Sequence, residues 1–423
     1  MSGTTAKGIA DSPVRSRTVW LCAALHGFTH LYWVVVTPLY LLMAKDLTAG
    51  SLAEVTFLVT VMMVAYYLPA YGAGVLADRF SPRGLLAGGL AVQGLAIVGL
   101  GLTHNLGQAL VWAAVSGLGG SLYHPAATTL VARLYPTQTG RALGLVGLGA
   151  GVGFCLGPLY AGWRAATAGW RAPLIECGLA GVAMAVVFWW LAEMPSADAK
   201  RPTNAAECPG PDRRWWLALL GAAFLLSLRD FAGSAVGSGA ALFLPRAHGF
   251  SPAATGAALS LVFLGSIAGN PVFGRMADRR LASGLTMVLL VAGLAAAALP
   301  WLPAAVLLPA LLVYGFFFMG SYPMTEAAVV RAAPAEGRGR AMGVFIMVGG
   351  LLGNLAHWWA GYAIERLGAA GSSPAAYRGF FLVCGVMIVL SLTSLPWLRR
   401  RSRKAAAGPA LSVTETTAPV AEP

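Results

Sequence analysis

The sequence predicts an all-α integral membrane protein, with twelve transmembrane helices in two six-helix pseudo-repeat halves. Three observations predict it. Charged residues make up only 11% of the 423 residues against 57% hydrophobic ones, apolar stretches of membrane-spanning length recur along the chain, and motifs of the first half return in the second. An ordinary soluble domain carries about 25% charged residues, so lipid is the solvent here. The same balance excludes a disordered chain, a soluble enzyme with a normal surface and a basic protein coating a nucleic acid. The five cysteines, at 22, 155, 177, 208 and 384, show neither CxxC nor Cys/His ligand spacing. No disulfide framework, metal site or cofactor is therefore expected.

Each crossing needs about 20 mostly apolar residues, because a helix rises about 1.5 Å per residue through a hydrocarbon core about 30 Å thick. Residues 18–44 and 55–77 contain no Asp, Glu, Lys or Arg, and neither does 84–132, which is long enough for two crossings with a turn at Thr103-His104-Asn105. Residues 142–163 and 174–191 complete the first six. The second six fall near 215–244, 253–273, 281–302, 304–330, 341–364 and 379–398. The domains expected are a tail over 1–17, a bundle over 18–195, a polar, Pro-rich linker over 196–214, a bundle over 215–398 and a disordered tail over 399–423. The first span is too long for a cleaved signal peptide and stays as an anchor.

Orientation follows from Lys and Arg. With the amino terminus inside, the outer loops keep only Lys45, Arg164, Arg171, Arg246, Arg366 and Arg378, while the inner segments collect most of the rest. Both termini are expected in the cytoplasm of a bacterial cell, the chain lying in the inner membrane as a monomer. Topology and attraction to anionic headgroups explain the net charge of +13 with no nucleic-acid partner.

The internal repeat is explicit. Gly74-Val75-Leu76-Ala77-Asp78-Arg79 returns as Gly274-Arg275-Met276-Ala277-Asp278-Arg279, and Gly140-Arg141-Ala142-Leu143-Gly144 as Gly339-Arg340-Ala341-Met342-Gly343. Pro125 matches Pro323, and Arg133 matches Arg331. Twelve spans, two matching halves and a GxLADR loop after the second span resemble the major facilitator superfamily of secondary transporters. That resemblance implies alternating access to a site between the halves. The run from Gly147 to Pro158, ending Gly153-Phe154-Cys155-Leu156-Gly157-Pro158, looks like the fifth-span helix-packing motif of its antiporter branch. Gly117-Leu118-Gly119-Gly120-Ser121-Leu122-Tyr123-His124-Pro125 is similar to a stretch of fosmidomycin-resistance-type efflux carriers. Those carry a first-span histidine four residues before an acid, where this chain has His26 and His30. The fourth-span arginine of the superfamily pattern, which would fall near Ala113, is absent. The resemblance also implies that Asp78, Arg79, Arg83, Arg133, Asp278, Arg279 and Arg331 gate the cytoplasmic opening.

A charge at the bilayer centre costs about 2.5–3.5 kcal/mol on insertion scales, which makes Arg229 and Asp230 the sharpest signal in the chain. Arg229 is expected to grip an anionic or polar substrate group and Asp230 to carry the exchanged proton. Adjacent helical side chains diverge by about 100°, so each is expected to find a partner other than its neighbour. His26 and His30, spaced i, i+4 on one helix face, are further proton-coupling candidates, with packing across helices as the alternative. Glu326, five residues before Arg331, is either a proton site or a gate residue. Tyr123, His124, Asn270, Asn354 and His357 are candidate substrate contacts, with helix packing as the alternative. No nucleophile or catalytic pair converges at one membrane depth, so an enzyme is not expected. The expected function is proton-coupled antiport of a small polar or amphipathic organic compound, leaving uptake of a small organic anion and a non-transporting sensor as alternatives.

Overall fold

The computed structural model describes residues 13–194, 213–333 and 338–398, which form helices and short connections with no strand among them. The tails expected over 1–17 and 399–423 and the linker over 196–214 lie largely outside these residues.

The first crossing is α1 (Pro13–Val34) followed by α2 (Tyr40–Leu47), with a 3-10 turn over Thr37–Leu39 between them. Pro38 has no N–H to continue the ladder there. The second, α3 (Leu52–Tyr67) and α4 (Ala70–Arg79), bends by 42° next to Pro69. α5 (Pro82–Gly101) is the third. The predicted turn follows it, where Asn105 Oδ1 accepts from Gln108 N at 2.9 Å and Gln108 Oε1 accepts from His104 N at 3.0 Å. This reciprocal pair caps one orphan N–H of the next helix, that of Gln108, and ties down the residue before the cap. α6 (Leu106–Ser121) and α7 (Tyr123–Leu134) share the fourth crossing, broken at Leu122. The break puts Pro125 in the first turn of α7, where its missing N–H costs no helical bond. α8 (Thr139–Ala168) and α9 (Arg171–Leu191) complete the half.

In the second half α10 (Arg213–His248) is one long helix, and α11 (Pro252–Ala298) holds two crossings separated at Arg280, whose φ of −142° and ψ of 49° are non-helical. α12 (Ala304–Ala332), the broken pair α13 (Arg338–Asn354) and α14 (Ala356–Glu365), and α15 (Arg378–Leu390) follow. Ten helical stretches are each long and apolar enough to cross a bilayer, and the bent α3–α4 pair is an eleventh. The twelfth is α6–α7, whose pieces of 16 and 12 residues are each too short alone.

Apolar burial gives little force between helices in lipid, so close backbone approach carries the packing. A Cβ at Gly149 would collide with the carbonyl of Ala23, and one at Gly153 with that of Gly27. α1 and α8 therefore meet backbone to backbone. The same device joins the halves, where Gly162 and Gly256 back onto the carbonyls of Pro252 and Pro158.

The two ends of the bundle differ. At the arginine-poor end Glu365 accepts from Ser51 Oγ at 3.0 Å and from Ala53 N at 2.8 Å, tying α14 to the start of α3. At the arginine-rich end two bonds among the described residues stay within a half: Arg83 donates to Ala192 O at 2.7 Å and Arg331 to Ala277 O at 2.8 Å. Between the halves lies a gap, and the described hydrogen bonds that cross it gather toward the arginine-poor end.

Candidate functional site

Two polar clusters face each other across that gap, one from each half. In the first half, His26 and His30 lie one turn apart on α1 and His124 starts α7. His26 Nδ1 lies 3.0 Å from the carbonyl of Val146, which can only accept, so this nitrogen carries the proton. In the neutral ring Nε2 is then the acceptor, and the 2.9 Å contact with His30 Nε2 has His30 donating. His30 Nδ1 is left buried without a partner. Aromatic rings hold the cluster in place. Tyr123 stacks on His26 with centroids 4.7 Å apart and donates its hydroxyl to Cys22 O at 2.7 Å. Trp33 meets His30 edge-on at 4.3 Å, with Phe154 at 4.4 Å. His124 lies 5.1 Å from His26 between centroids, is exposed to the gap and makes no hydrogen bond to any described residue.

In the second half Arg229 is 1% exposed. Its Nε and Nη2 donate to Asp230 Oδ1 at 3.0 and 2.6 Å, and its Nη1 donates to Thr325 Oγ1 at 2.6 Å. The guanidinium carbon sits 4.1 Å above the Tyr322 ring. The expectation that Arg229 and Asp230 would not pair is thus corrected. The 100° between neighbouring positions describes where side chains leave the helix. The three methylenes of arginine are long enough to bring its head back over the next residue.

Glu326 lies one turn beyond Tyr322 on α12, within electrostatic reach of Arg229. Its carboxylate is exposed to the gap and makes no hydrogen bond or ion pair with any described residue. The structure places it beside Arg229 in the second-half cluster. Tyr67 and Asp230 flank one glycine pair of α13: a Cβ at Gly350 would strike the Tyr67 ring, and one at Gly349 would come within 2.8 Å of Asp230 Oδ2. This brings α3 of the first half beside the second-half cluster.

His357 and Asn354 are drawn into a different arrangement. Asn354 Nδ2 donates to Gly350 O at 2.7 Å, so its Oδ1 accepts from His357 Nε2 at 3.1 Å. Nδ1 of the neutral ring then accepts from Ser238 Oγ at 2.7 Å, and Ser238 accepts from Tyr40 OH at 3.2 Å. Thr60 Oγ1 donates to Asn354 O at 3.0 Å and accepts from Trp358 N at 3.1 Å. These bonds stitch the halves together between the clusters and the arginine-poor end. Asn270 is exposed and joins neither cluster. Arg79 and Arg279 are exposed, Arg133 is half-buried on α7, and the side chains of Asp78 and Asp278 lie outside the described part of the structure.

Sequence reasoning missed Tyr67, Tyr322, Thr325, Tyr40, Ser238 and Thr60. Only Tyr322 carried a readable signal: it precedes Pro323 as His124 precedes Pro125, so the repeat places it at the equivalent position.

Twelve crossings in two repeated halves around a polar gap define the fold class. The chain belongs to the Major Facilitator Superfamily, whose sequence profile matches residues 19–353 and 219–422. The membrane sensor protein UhpC of Salmonella typhimurium is 24% identical over 416 residues, covering 91% of each chain. A multidrug resistance protein B homolog of Mycobacterium tuberculosis is 28% identical over 156 residues, 37% of this chain and 29% of that one. The chain spans 21–29% of the length of the first relatives it matches. A bacterial homolog of the human lysosomal transporter Spinster, crystallised inward-facing and unoccupied, superimposes with a TM-score of 0.75 at 16% identity over 94% of this chain and 98% of that one. At that identity it shows the fold alone.

Proposed function

We propose that the protein is a proton-coupled antiporter of the fosmidomycin-resistance type, exporting a small polar or amphipathic organic compound. One observation carries the reading. Two carboxylates share one wall of the gap, Asp230 held by Arg229 and Glu326 free of any described partner. A proton and a polar substrate compete for such groups, and competition for one site exposed alternately to two sides is exchange. Arg229 anchors Asp230 and keeps its charge fixed at the gap. The arginine-rich end is read as cytoplasmic, with both termini inside and the chain in the bacterial inner membrane. The tyrosine-to-histidine chain from Tyr40 to His357 and the Glu365 contact then close the outer side, and parting them admits the outward-open state.

The test uses everted membrane vesicles with an acidic interior and acridine orange as the pH reporter. Fosmidomycin, ethidium and an aromatic carboxylate are added in turn. Substrate-dependent release of the proton gradient is expected for one of them, with loss in Asp230→Asn and Glu326→Gln. Flux in proteoliposomes that ignores an imposed pH gradient overturns the coupling. The buried cation Arg229 favours a second reading, uptake of a small organic anion, in which protonation of Asp230 frees Arg229 for the substrate; accumulation in right-side-out vesicles distinguishes it. Ligand binding without flux in either orientation points to a sensor, the reading favoured by full-length likeness to a sensor protein.

A further inference from the structure

The first-half cluster holds chemistry that proton exchange at Asp230 and Glu326 does not use. We propose that His26, His30 and His124 form an open site for one late first-row divalent transition-metal ion, bound inside the gap. Among the described residues these three side chains are the one group of three or more His, Cys, Asp or Glu whose ligand atoms all lie close together, within 4.8 Å of one another.

Geometry permits coordination. Imidazole nitrogens bind such ions at about 2.0–2.1 Å, so two ligands at a tetrahedral angle sit about 3.4 Å apart. The His26–His30 pair, at 2.9 Å, has to open slightly, and the widest pair has to close from no more than 4.8 Å. Ring rotations suffice for both. The i, i+4 spacing on α1 puts two ligands on one face, as in helical zinc-binding pairs.

The surroundings match a ligand set. His26 donates Nδ1–H to Val146 O, the outer-shell contact that fixes the tautomer and aims Nε2 at an ion. Ligation through Nε2 moves the His30 proton to its unpartnered Nδ1, and His124 has no hydrogen-bond partner among the described residues, so the three rings offer more lone pairs than the described donors fill. An ion takes up that surplus. Packing by Tyr123, Trp33 and Phe154 limits ring motion. An all-imidazole set selects zinc, cobalt, nickel or copper over magnesium or calcium, which prefer oxygen. Three protein ligands leave one position facing the gap for water or an anionic group. The site makes no use of Asp230, so it stands or falls apart from the antiport reading.

The full chain, carrying a tag without histidine, is purified in detergent, stripped with chelator and titrated with Co2+. One equivalent per chain with the visible bands of tetrahedral cobalt is expected. His30→Gln and His124→Gln should each weaken binding by about 100-fold or more, at or above the loss seen on removing an outer-shell partner. Exposed His104 serves as the control, since His104→Gln leaves the titration unchanged. Monodisperse elution of each variant shows that the fold is retained. No saturable Co2+ binding, or binding that survives the His30→Gln/His124→Gln double substitution, overturns the proposal.

Discussion

The first half sets the imidazoles of His26, His30 and His124 beside the gap, whereas the second sets there the buried guanidinium of Arg229 and the carboxylates of Asp230 and Glu326. The scaffold beneath them is the same. Ser51 and Ser251 each cap the helix that follows, accepting from Glu54 N at 3.3 Å and Ala254 N at 3.2 Å. In the register that pairs those serines Asp230 stands opposite His30, and in the register that pairs Pro125 with Pro323 Tyr322 stands opposite His124. Caps and close glycine contacts answer to backbone demands that both halves share. The groups facing the gap answer to what crosses it, and they can differ without disturbing the helices that carry them.

That contrast predicts unequal costs. Arg229→Ala leaves Asp230, 13% exposed, without its counter-ion, and breaking a buried pair in this way costs about 3–5 kcal/mol. Replacing both by leucine should cost far less, since no lone charge remains; thermal unfolding in detergent compares the two. His26→Leu comes next. It strips the Val146 carbonyl and the His30 N–H of partners but strands no charge, for a loss of about 1–3 kcal/mol. Should His26→Leu prove the more damaging, the division into a charged and a neutral wall is wrong.

Much of this architecture was legible in the sequence because lipid imposes it. Charge-free runs mark crossings, and the turn at Thr103-His104-Asn105 falls where the chain exchanges apolar residues for capping ones. Arg229 and Asp230 stood out for the same reason, as charges that hydrocarbon penalises. What they touch did not stand out. Pairing depended on the reach of the arginine head, which angular spacing along a helix does not contain. The links between halves, Tyr40 to Ser238, Thr60 to Asn354 and Glu365 to Ser51, join residues about 200 to 300 positions apart. Such register is set by how two rigid halves seat on each other. His357 and Asn354 illustrate this: their polarity was plain, yet only docking against Tyr40 and Thr60 turns them into part of a closure.

Glu365→Gln probes that closure. A carboxylate at a helix N-terminus contributes about 0.3–1 kcal/mol, and here it also bridges the halves. The substitution should move the open–closed ratio at the arginine-poor end by up to about fivefold, seen as a longer component in spin-label distances between α3 and α14. Unchanged distances would mean that the Tyr40–Ser238–His357 chain, the Thr60–Asn354 bond and the glycine contacts hold this end shut without Glu365.

The smallest effect belongs to an ion pair of similar look and different place. Arg171 Nη1 donates to Asp46 Oδ2 at 2.8 Å at the same end of the bundle, but both residues are in the first half, with side chains 38% and 40% exposed. Asp46 also keeps the indole N–H of Trp170 at 2.9 Å. Exposed pairs contribute about 0–1 kcal/mol, so Arg171→Ala should lower stability by less than about 0.5 kcal/mol. It should also leave the α3–α14 distances unaltered, because nothing it breaks spans the gap. A change in those distances as large as that from Glu365→Gln would show that the outer end closes by deformation within a half, and the picture of two rigid bodies seated on one another would have to be abandoned.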